Sequence, residues 1–351
     1  MNPLRRLTAV LVVAAMLTAG CGGSDTPATI TVYSPTGLAD WYQSRFDKFT
    51  AETGIEVTLF EAGSGEVVSR VNSPAVWDQV GTGGPVPPAD LLITLPPFIQ
   101  KADKAGLLQS SGVDTAGLSA EFVGPGGVYV PIVKTALCFI ANTELDPLPA
   151  TWDDLLRPDL EGRLQYSTPG EAGDGTALLL LLQHLMGKQG ALDYLKRLQK
   201  NNVGPSASTG ALIPKVSSGE LLVANGDVQM NLASINNDGS RTRIFFPAMP
   251  AAKPTTISLA YVAGVTAGSA HPEETRQLLA FLLSDESQRS VFSEAFGIPA
   301  RDSIAADMGG DGDAASPAGP LRDITLWTPD WNTVLAELGD DIADYKAATG
   351  R

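Results

Sequence analysis

Apolar and polar positions along this chain repeat with two periods, one of two residues and one near 3.6. Residues 29–33 alternate β-branched and aromatic side chains, which predicts a strand. Ser34-Pro35-Thr36-Gly37 then reads as a turn. Leu38, Trp41, Tyr42, Phe46 and Phe49 recur at helical spacing, so a helix is expected over 38–53, with Gly54 as its stop. A second strand is expected over 55–60, a turn at Gly63-Ser64-Gly65-Glu66, a helix from 67, and a third strand over 90–94. Residues 126–133 and 136–141 read as extended segments linking two lobes. Further on, strands are expected over 164–167, 221–224 and 257–265. Helices are expected over 152–156 with Thr151 as cap, and over 177–186, 191–200, 211–219, 272–283 and 285–296. Strand, turn and helix in alternation imply an α/β fold with a parallel sheet.

The N-terminus departs from this rhythm. Arg5 and Arg6 precede an apolar run over 7–17, then Thr18-Ala19-Gly20-Cys21. This order reads as a secretory signal over 1–20, and the run is shorter than the roughly 20 apolar residues a bilayer span requires. Cys21 directly after Ala-Gly resembles a bacterial lipobox. The resemblance implies cleavage before Cys21, lipidation of its thiol and a membrane-anchored, extracytoplasmic protein. The leucine usual three residues before the cysteine is displaced by one, to Leu17. Residues 21–28 form a tether rich in small and polar residues. Cys138, the second of two cysteines, lies in the apolar run Leu137-Cys138-Phe139-Ile140 and is expected to be a buried, inert thiol.

About 320 residues follow the tether, too many for one simple core, so two lobes are expected. The net charge of −15 argues against nucleic acid and against electrostatic docking on anionic lipid.

Several stretches together resemble the periplasmic type II, or family 1, extracellular solute-binding proteins of ABC importers. Phe49-Thr50-Ala51-Glu52-Thr53-Gly54-Ile55-Glu56-Val57 is similar to a frequent opening of that family. Ala280-Phe281-Leu282-Leu283-Ser284-Asp285-Glu286-Ser287-Gln288, followed by Ile298-Pro299-Ala300-Arg301, is similar to its C-terminal helix pair. A narrower resemblance is to the 2-aminoethylphosphonate-binding subgroup. It rests on Asp40-Trp41-Tyr42, Gly63-Ser64-Gly65-Glu66-Val67-Val68, Leu92-Ile93-Thr94-Leu95-Pro96-Pro97-Phe98-Ile99-Gln100, Ser208-Thr209-Gly210 and the run from Val223 to Asn231. The resemblance implies a two-lobed Venus-flytrap fold with hinge strands. Residues 29–132 and 255–351, with the C-terminal helices, would form the first lobe, and 133–254 the second. It implies a monomer that captures a small phosphonate, most simply 2-aminoethylphosphonate, and delivers it to a permease and its ATPase. No cofactor and no catalysis are implied.

In such a fold the ligand sits where strands end and helices begin. Helix N-termini offer unpaired N–H groups and partial positive charge, which suit an anion without a basic cluster. The chain has hydroxyl- and glycine-bearing turns at such places: Ser34, Thr36 and Gly37; Ser64 and Gly65; Thr94; Thr168; Gly175 and Thr176; Ser208 and Thr209. Capping alone accounts for Ser, Thr or Gly before a helix, so each turn also has an ordinary structural reading. An amine would need a carboxylate or an aromatic face. Glu66 and Asp227 are the candidates retained. Asp174 reads more simply as a helix cap, and Tyr261 as core.

Other chemistries fit poorly. His184 and His271 are isolated, so no metal site is expected. The paired tyrosines that hold ferric iron in related binders are absent, since Val228-Gln229-Met230 follows Asp227. No G-x-S-x-G or P-loop occurs. The alternatives kept open are a ferric-ion or inorganic-anion binder of the same fold and a surface-anchored hydrolase.

Overall fold

The computed structural model describes residues 28–73, 87–309 and 316–350. The expected signal over 1–20, Cys21 and all but the last residue of the tether lie outside the described residues.

The chain runs β1 (Thr29–Pro35), α1 (Ala39–Thr53), β2 (Glu56–Ala62), α2 (Ser64–Asn72), β3 (Leu91–Thr94), α3 (Phe98–Lys104), β4 (Leu108–Gln109) and β5 (Tyr129–Asn142). It continues through β6 (Leu164–Gln165), α4 (Gly173–Leu198), α5 (Ile213–Ser217), β7 (Val223–Asp227), α6 (Val228–Asp238), β8 (Thr242–Phe245) and β9 (Thr255–Thr266). It ends with α7 (Pro272–Leu282), α8 (Asp285–Ser290), β10 (Ile298–Pro299), α9 (Asp302–Gly309), β11 (Thr325–Trp327) and α10 (Trp331–Thr349). Short 3-10 turns join several of these, and a π turn at Val291–Ala295 extends α8.

β1 runs parallel to β2 and β3, and β3 pairs antiparallel with β9. The strand order is β2-β1-β3-β9-β5-β7-β6. Helices cover both faces, so β1 is buried at every position except Thr29. α1 turns Trp41, Tyr42, Phe46 and Phe49 inward and ends at Gly54 with φ 74°. That left-handed residue donates its N–H to Thr50 O, the expected C-terminal stop.

β5 ties the two lobes together. Its first part, Tyr129 to Ala136, pairs with β9, while Leu137 to Asn142 pairs with β7 and β8. One continuous strand therefore stands where two extended segments were expected. It passes from one set of strand partners to the other between Ala136 and Leu137. A strand shared in this way can bend about its crossing point while both sheets stay intact.

Three helices exceed or escape the expectation. The segments 177–186 and 191–200 belong to α4, which starts already at Gly173 and breaks at Gly187, with φ 73° and ψ 163°. α6 buries Gln229, Asn231 and Ser234 beside Val228 and Met230, so its inner face is largely polar. α10 is capped by Asp330, which accepts from the N–H groups of Asn332 and Thr333. It packs on α4 and on α3, with Lys188 held 2.7 Å from Asp341 and the hydroxyls of Tyr166 and Tyr345 paired at 3.1 Å.

Candidate functional site

The starts of α2 and α4 meet between the lobes. Gly63, the residue before α2, has extended backbone at φ −67° and ψ 152°. Ala172 stands before α4 in the same region, at φ −101° and ψ 145°. Gly65 N–H of the first lobe donates to Glu171 O of the second at 2.9 Å. Around this contact lies a small cavity of ≈ 20 Å³. The first lobe lines it with Pro35, Thr36, Ala62, Gly63, Ser64 and Leu95. The second contributes Ala172, Gly173, Asp174, Ser208, Thr209 and Met230, and Tyr261 of β9 closes the hinge side. A space this small holds about one water. A solute of several heavy atoms does not fit within it.

The expected site residues divide into two groups. Thr36, Ser64, Ser208 and Thr209 line the cavity. Most of the others shape the turns behind it. Ser34 Oγ donates to Pro35 O at 3.0 Å and pairs with the Tyr42 hydroxyl at 3.1 Å. Thr94 Oγ1 donates to Ser64 O at 3.1 Å and so anchors the start of α2. Thr168 Oγ1 accepts from Ser206 N–H at 2.9 Å, tying two turns of the second lobe together. Thr176 Oγ1 donates to Ala172 O at 2.8 Å and accepts from Gly170 N–H at 2.9 Å. At Gly175 any Cβ would overlap the Ser167 backbone, so glycine there lets α4 approach its strand closely. Gly65 touches Glu171 O in the same way, across the cleft.

Gly37 is bound to its place by conformation as well as by space. Its φ of 130° disfavours any side chain, and a Cβ would press on the Tyr261 hydroxyl. Its carbonyl accepts from Gln229 Nε2 at 2.9 Å, a second hydrogen bond across the cleft. Glu66 faces away. Arg70 Nε and Nη2 bond its Oε1 at 3.0 and 2.9 Å, so its carboxylate serves an ion pair on α2 and does not line the cavity.

Two buried carboxylates, Asp227 and Asp174, lie close enough to influence each other. Asp227 caps α6, accepting from Met230 N–H at 2.9 Å and from Thr135 Oγ1 at 3.0 Å on one oxygen. Its other oxygen accepts from the Tyr261 hydroxyl at 3.2 Å. Burial raises its pKa and these donors pull it back down. Asp174 has less help. It occupies the first turn of α4 and makes no cap, since Ala172 holds the cap position without a side-chain bond. Asp174 is 5 % exposed, and its Oδ1 is buried with no hydrogen-bond partner. Burial first, and the charge of Asp227 second, push its pKa up to about 8, against a smaller opposing pull from Thr209. The cap reading of Asp174 therefore gives way to a carboxyl in the cavity wall. Tyr261 is buried as expected, yet it also lines the cavity and holds Asp227. A run of Gly-Asp-Gly at a helix start was the available signal for Asp174. Nothing local distinguishes Tyr261 from its apolar strand neighbours.

The cavity therefore combines two helix starts and five hydroxyl-bearing residues with one carboxyl oxygen that lacks a hydrogen-bond partner. Such a set can surround an anion and contact an N–H donor next to it. Among the described residues, no group of three or more His, Cys, Asp or Glu side chains is arranged to hold a metal ion. Cys138 is buried and unpaired, with its thiol pKa raised by burial. His184 stacks on Trp327 with ring centroids 4.0 Å apart.

A sequence profile described as bacterial extracellular solute-binding protein matches residues 30–295. The chain belongs to this family. A periplasmic protein of Salmonella typhimurium, named provisionally for 2-aminoethylphosphonate binding, is 39 % identical over 328 residues. That match spans 92 % of this solute-binding protein and 93 % of the relative. Among solved structures, a periplasmic thiamin-binding protein superposes with a TM-score of 0.73 at 20 % identity, covering 94 % of this chain and 98 % of its own. Iron-bound HitA from Pseudomonas aeruginosa superposes with a TM-score of 0.65 at 23 % identity, covering 90 % and 99 %. These similarities establish the two-lobed type II periplasmic-binding fold and an exported, solute-binding protein. Among the described residues no helix is long and apolar enough to cross a membrane.

Proposed function

We propose that this protein is the solute-binding component of an ABC importer and that it captures 2-aminoethylphosphonate between its lobes. One observation carries the ligand assignment. The unpaired Oδ1 of Asp174 is buried in a cavity whose other walls are the starts of α2 and α4 and the hydroxyls of Thr36, Ser64, Ser208 and Thr209. The phosphonate oxygens would accept from the helix starts and from the hydroxyls of Thr36, Ser64 and Ser208, since Thr209 Oγ1 already donates to Ser167 Oγ at 3.0 Å. The ammonium group would face Asp174, whose ionised form it stabilises. The name of the Salmonella typhimurium relative supports the same ligand. The ligand touches both lobes and so favours the closed form by its differential affinity. We take residues 29–132 and 255–351 as one lobe and 133–254 as the other. The loaded protein, a monomer without catalytic activity, would dock on a permease with a cytoplasmic ATPase.

Isothermal titration of the lipid-free chain tests the ligand. Saturable heat is expected with 2-aminoethylphosphonate. No heat with it, alongside tight binding of thiamine, ferric ion or inorganic phosphate, would overturn the assignment within the family. Turnover of a phosphonate or phosphate ester by the purified protein would contradict the non-catalytic reading. Anchoring through Cys21 is checked by Cys21→Ser, which should move the protein from the membrane to the soluble extracytoplasmic fraction.

A further inference from the structure

Beside the cavity, with Thr36 and Met230 as shared walls, a groove of ≈ 740 Å³ runs between the lobes. Four carboxylates line it, Asp40, Glu61, Asp238 and Glu294, and no Lys or Arg is among the lining residues described. Arg45 answers one of these charges from behind, with Nη2 3.1 Å from Glu294 Oε2. Asn237 Nδ2 donates to Asp40 Oδ2 at 3.0 Å, a hydrogen bond between the lobes. Glu61 is less well provided. Its Oε1 is buried with no hydrogen-bond partner, and burial followed by the charge of Asp40 raises its pKa.

Gln229 lines the same groove from the other lobe and holds a second acceptor without a donor. Gln229 is 1 % exposed, and its Nε2 is fully used, donating to Gly37 O at 2.9 Å and Ala295 O at 2.7 Å. Its Oε1 is buried and has no partner. A buried acceptor lacking a donor is destabilising, more so when charged. Two of them on opposite walls of one acidic groove match a ligand that brings N–H donors and positive charge. The volume lies within the roughly 300–1,000 Å³ of small-molecule sites.

We propose that this groove is a second binding site, for a small organic cation carrying two ammonium groups, and that its occupant bridges the lobes. One ammonium faces Glu61 and Asp40 of the first lobe. The other faces Gln229 Oε1 of the second. A cation held by both walls favours the closed form, so it strengthens binding in the neighbouring cavity, and the cavity ligand strengthens cation binding by the same factor. This inference goes beyond the proposed function and does not rest on it.

The test is calorimetric titration of the full chain carrying Cys21→Ser with 1,4-diaminobutane at about 0.15 M salt, where diffuse surface attraction is screened beyond roughly 8 Å. The expected result is saturable binding of one diamine per chain, with 1-aminobutane weaker. Glu61→Gln and Asp40→Asn should each lower the affinity by about tenfold or more, which is 1.4 kcal/mol or more. Both variants keep the shape of the side chain, and a thermal melt establishes that each is folded. The proposal is overturned by no saturable heat at millimolar diamine, or by an affinity that both variants leave unchanged. It is equally overturned if saturating 2-aminoethylphosphonate displaces the diamine, because the diamine would then occupy the cavity itself. Absence of 2-aminoethylphosphonate binding bears on the cavity ligand alone, since the diamine titration is read without it.

Discussion

A buried carboxyl oxygen without a donor is destabilising unless a ligand supplies one, and Asp174 is therefore the residue on which ligand choice turns. Replacing it by Asn keeps its shape and removes its charge. Asp174→Asn should lower affinity for 2-aminoethylphosphonate by about 10–100-fold, or 1.4–2.7 kcal/mol, while leaving the amine-free analogue ethylphosphonate within about threefold. Calorimetry with both ligands decides it, and equal losses for the two would remove Asp174 from the ammonium position. Stability should respond to pH as well. Between its ordinary 3.8 and about 8, Asp174 stays protonated in the folded chain while the unfolded chain has lost the proton. The folded state binds more protons there, so ligand-free stability falls as pH rises through that window. Asp227 and Glu61, both raised, act in the same sense. Melting temperatures should decline from pH 4 to 8, and less steeply in Asp174→Asn; parallel slopes would refute the assignment. At this scale the sequence displays which turns carry hydroxyls. It does not display which hydroxyls are already used, as those of Ser34, Thr94 and Thr176 are, because their partners are fixed only by the folded turn.

The helix starts act as surfaces that must touch. Gly63 has backbone angles any residue can adopt, yet a Cβ there would overlap Ala207 O across the cleft. Gly63→Ala should therefore fold normally and close poorly. The expected outcome is a ligand-free melting temperature within a few degrees of the parent and an affinity for 2-aminoethylphosphonate reduced by roughly tenfold or more. Unchanged affinity would mean that the two helix starts need not meet when ligand binds. Elements whose buried side is apolar, such as α1 with Trp41, Tyr42, Phe46 and Phe49, are legible by period alone. α6 is not, because Gln229, Asn231 and Ser234 face inward where periodicity requires apolar residues. The amide N–H groups of Gln229 are held by partners far along the chain, the carbonyls of Gly37 and Ala295.

For the molecule as a whole, β5 and β9 carry the lobes and the cleft contacts decide how they close. Small-angle scattering should show a smaller radius of gyration with 2-aminoethylphosphonate than without it. At a ligand concentration of 100 times Kd the folded state should gain about 2.7 kcal/mol, read as a higher melting temperature. A scattering curve and a melting point that ligand leaves unchanged would contradict capture by closure. The strand and helix rhythm, the export signal pattern and the hydroxyl-rich turns are all local properties, and the sequence by itself determined them, because propensity, period and turn chemistry act over a few neighbours. The convergence of Ser64 with Ser208 and of Asp174 with Asp227 was decided only by the tertiary structure, as was the opposition of Glu61 to Gln229. Each pair joins segments distant in sequence whose electrostatics exist only once folding brings those segments together and excludes the water between them.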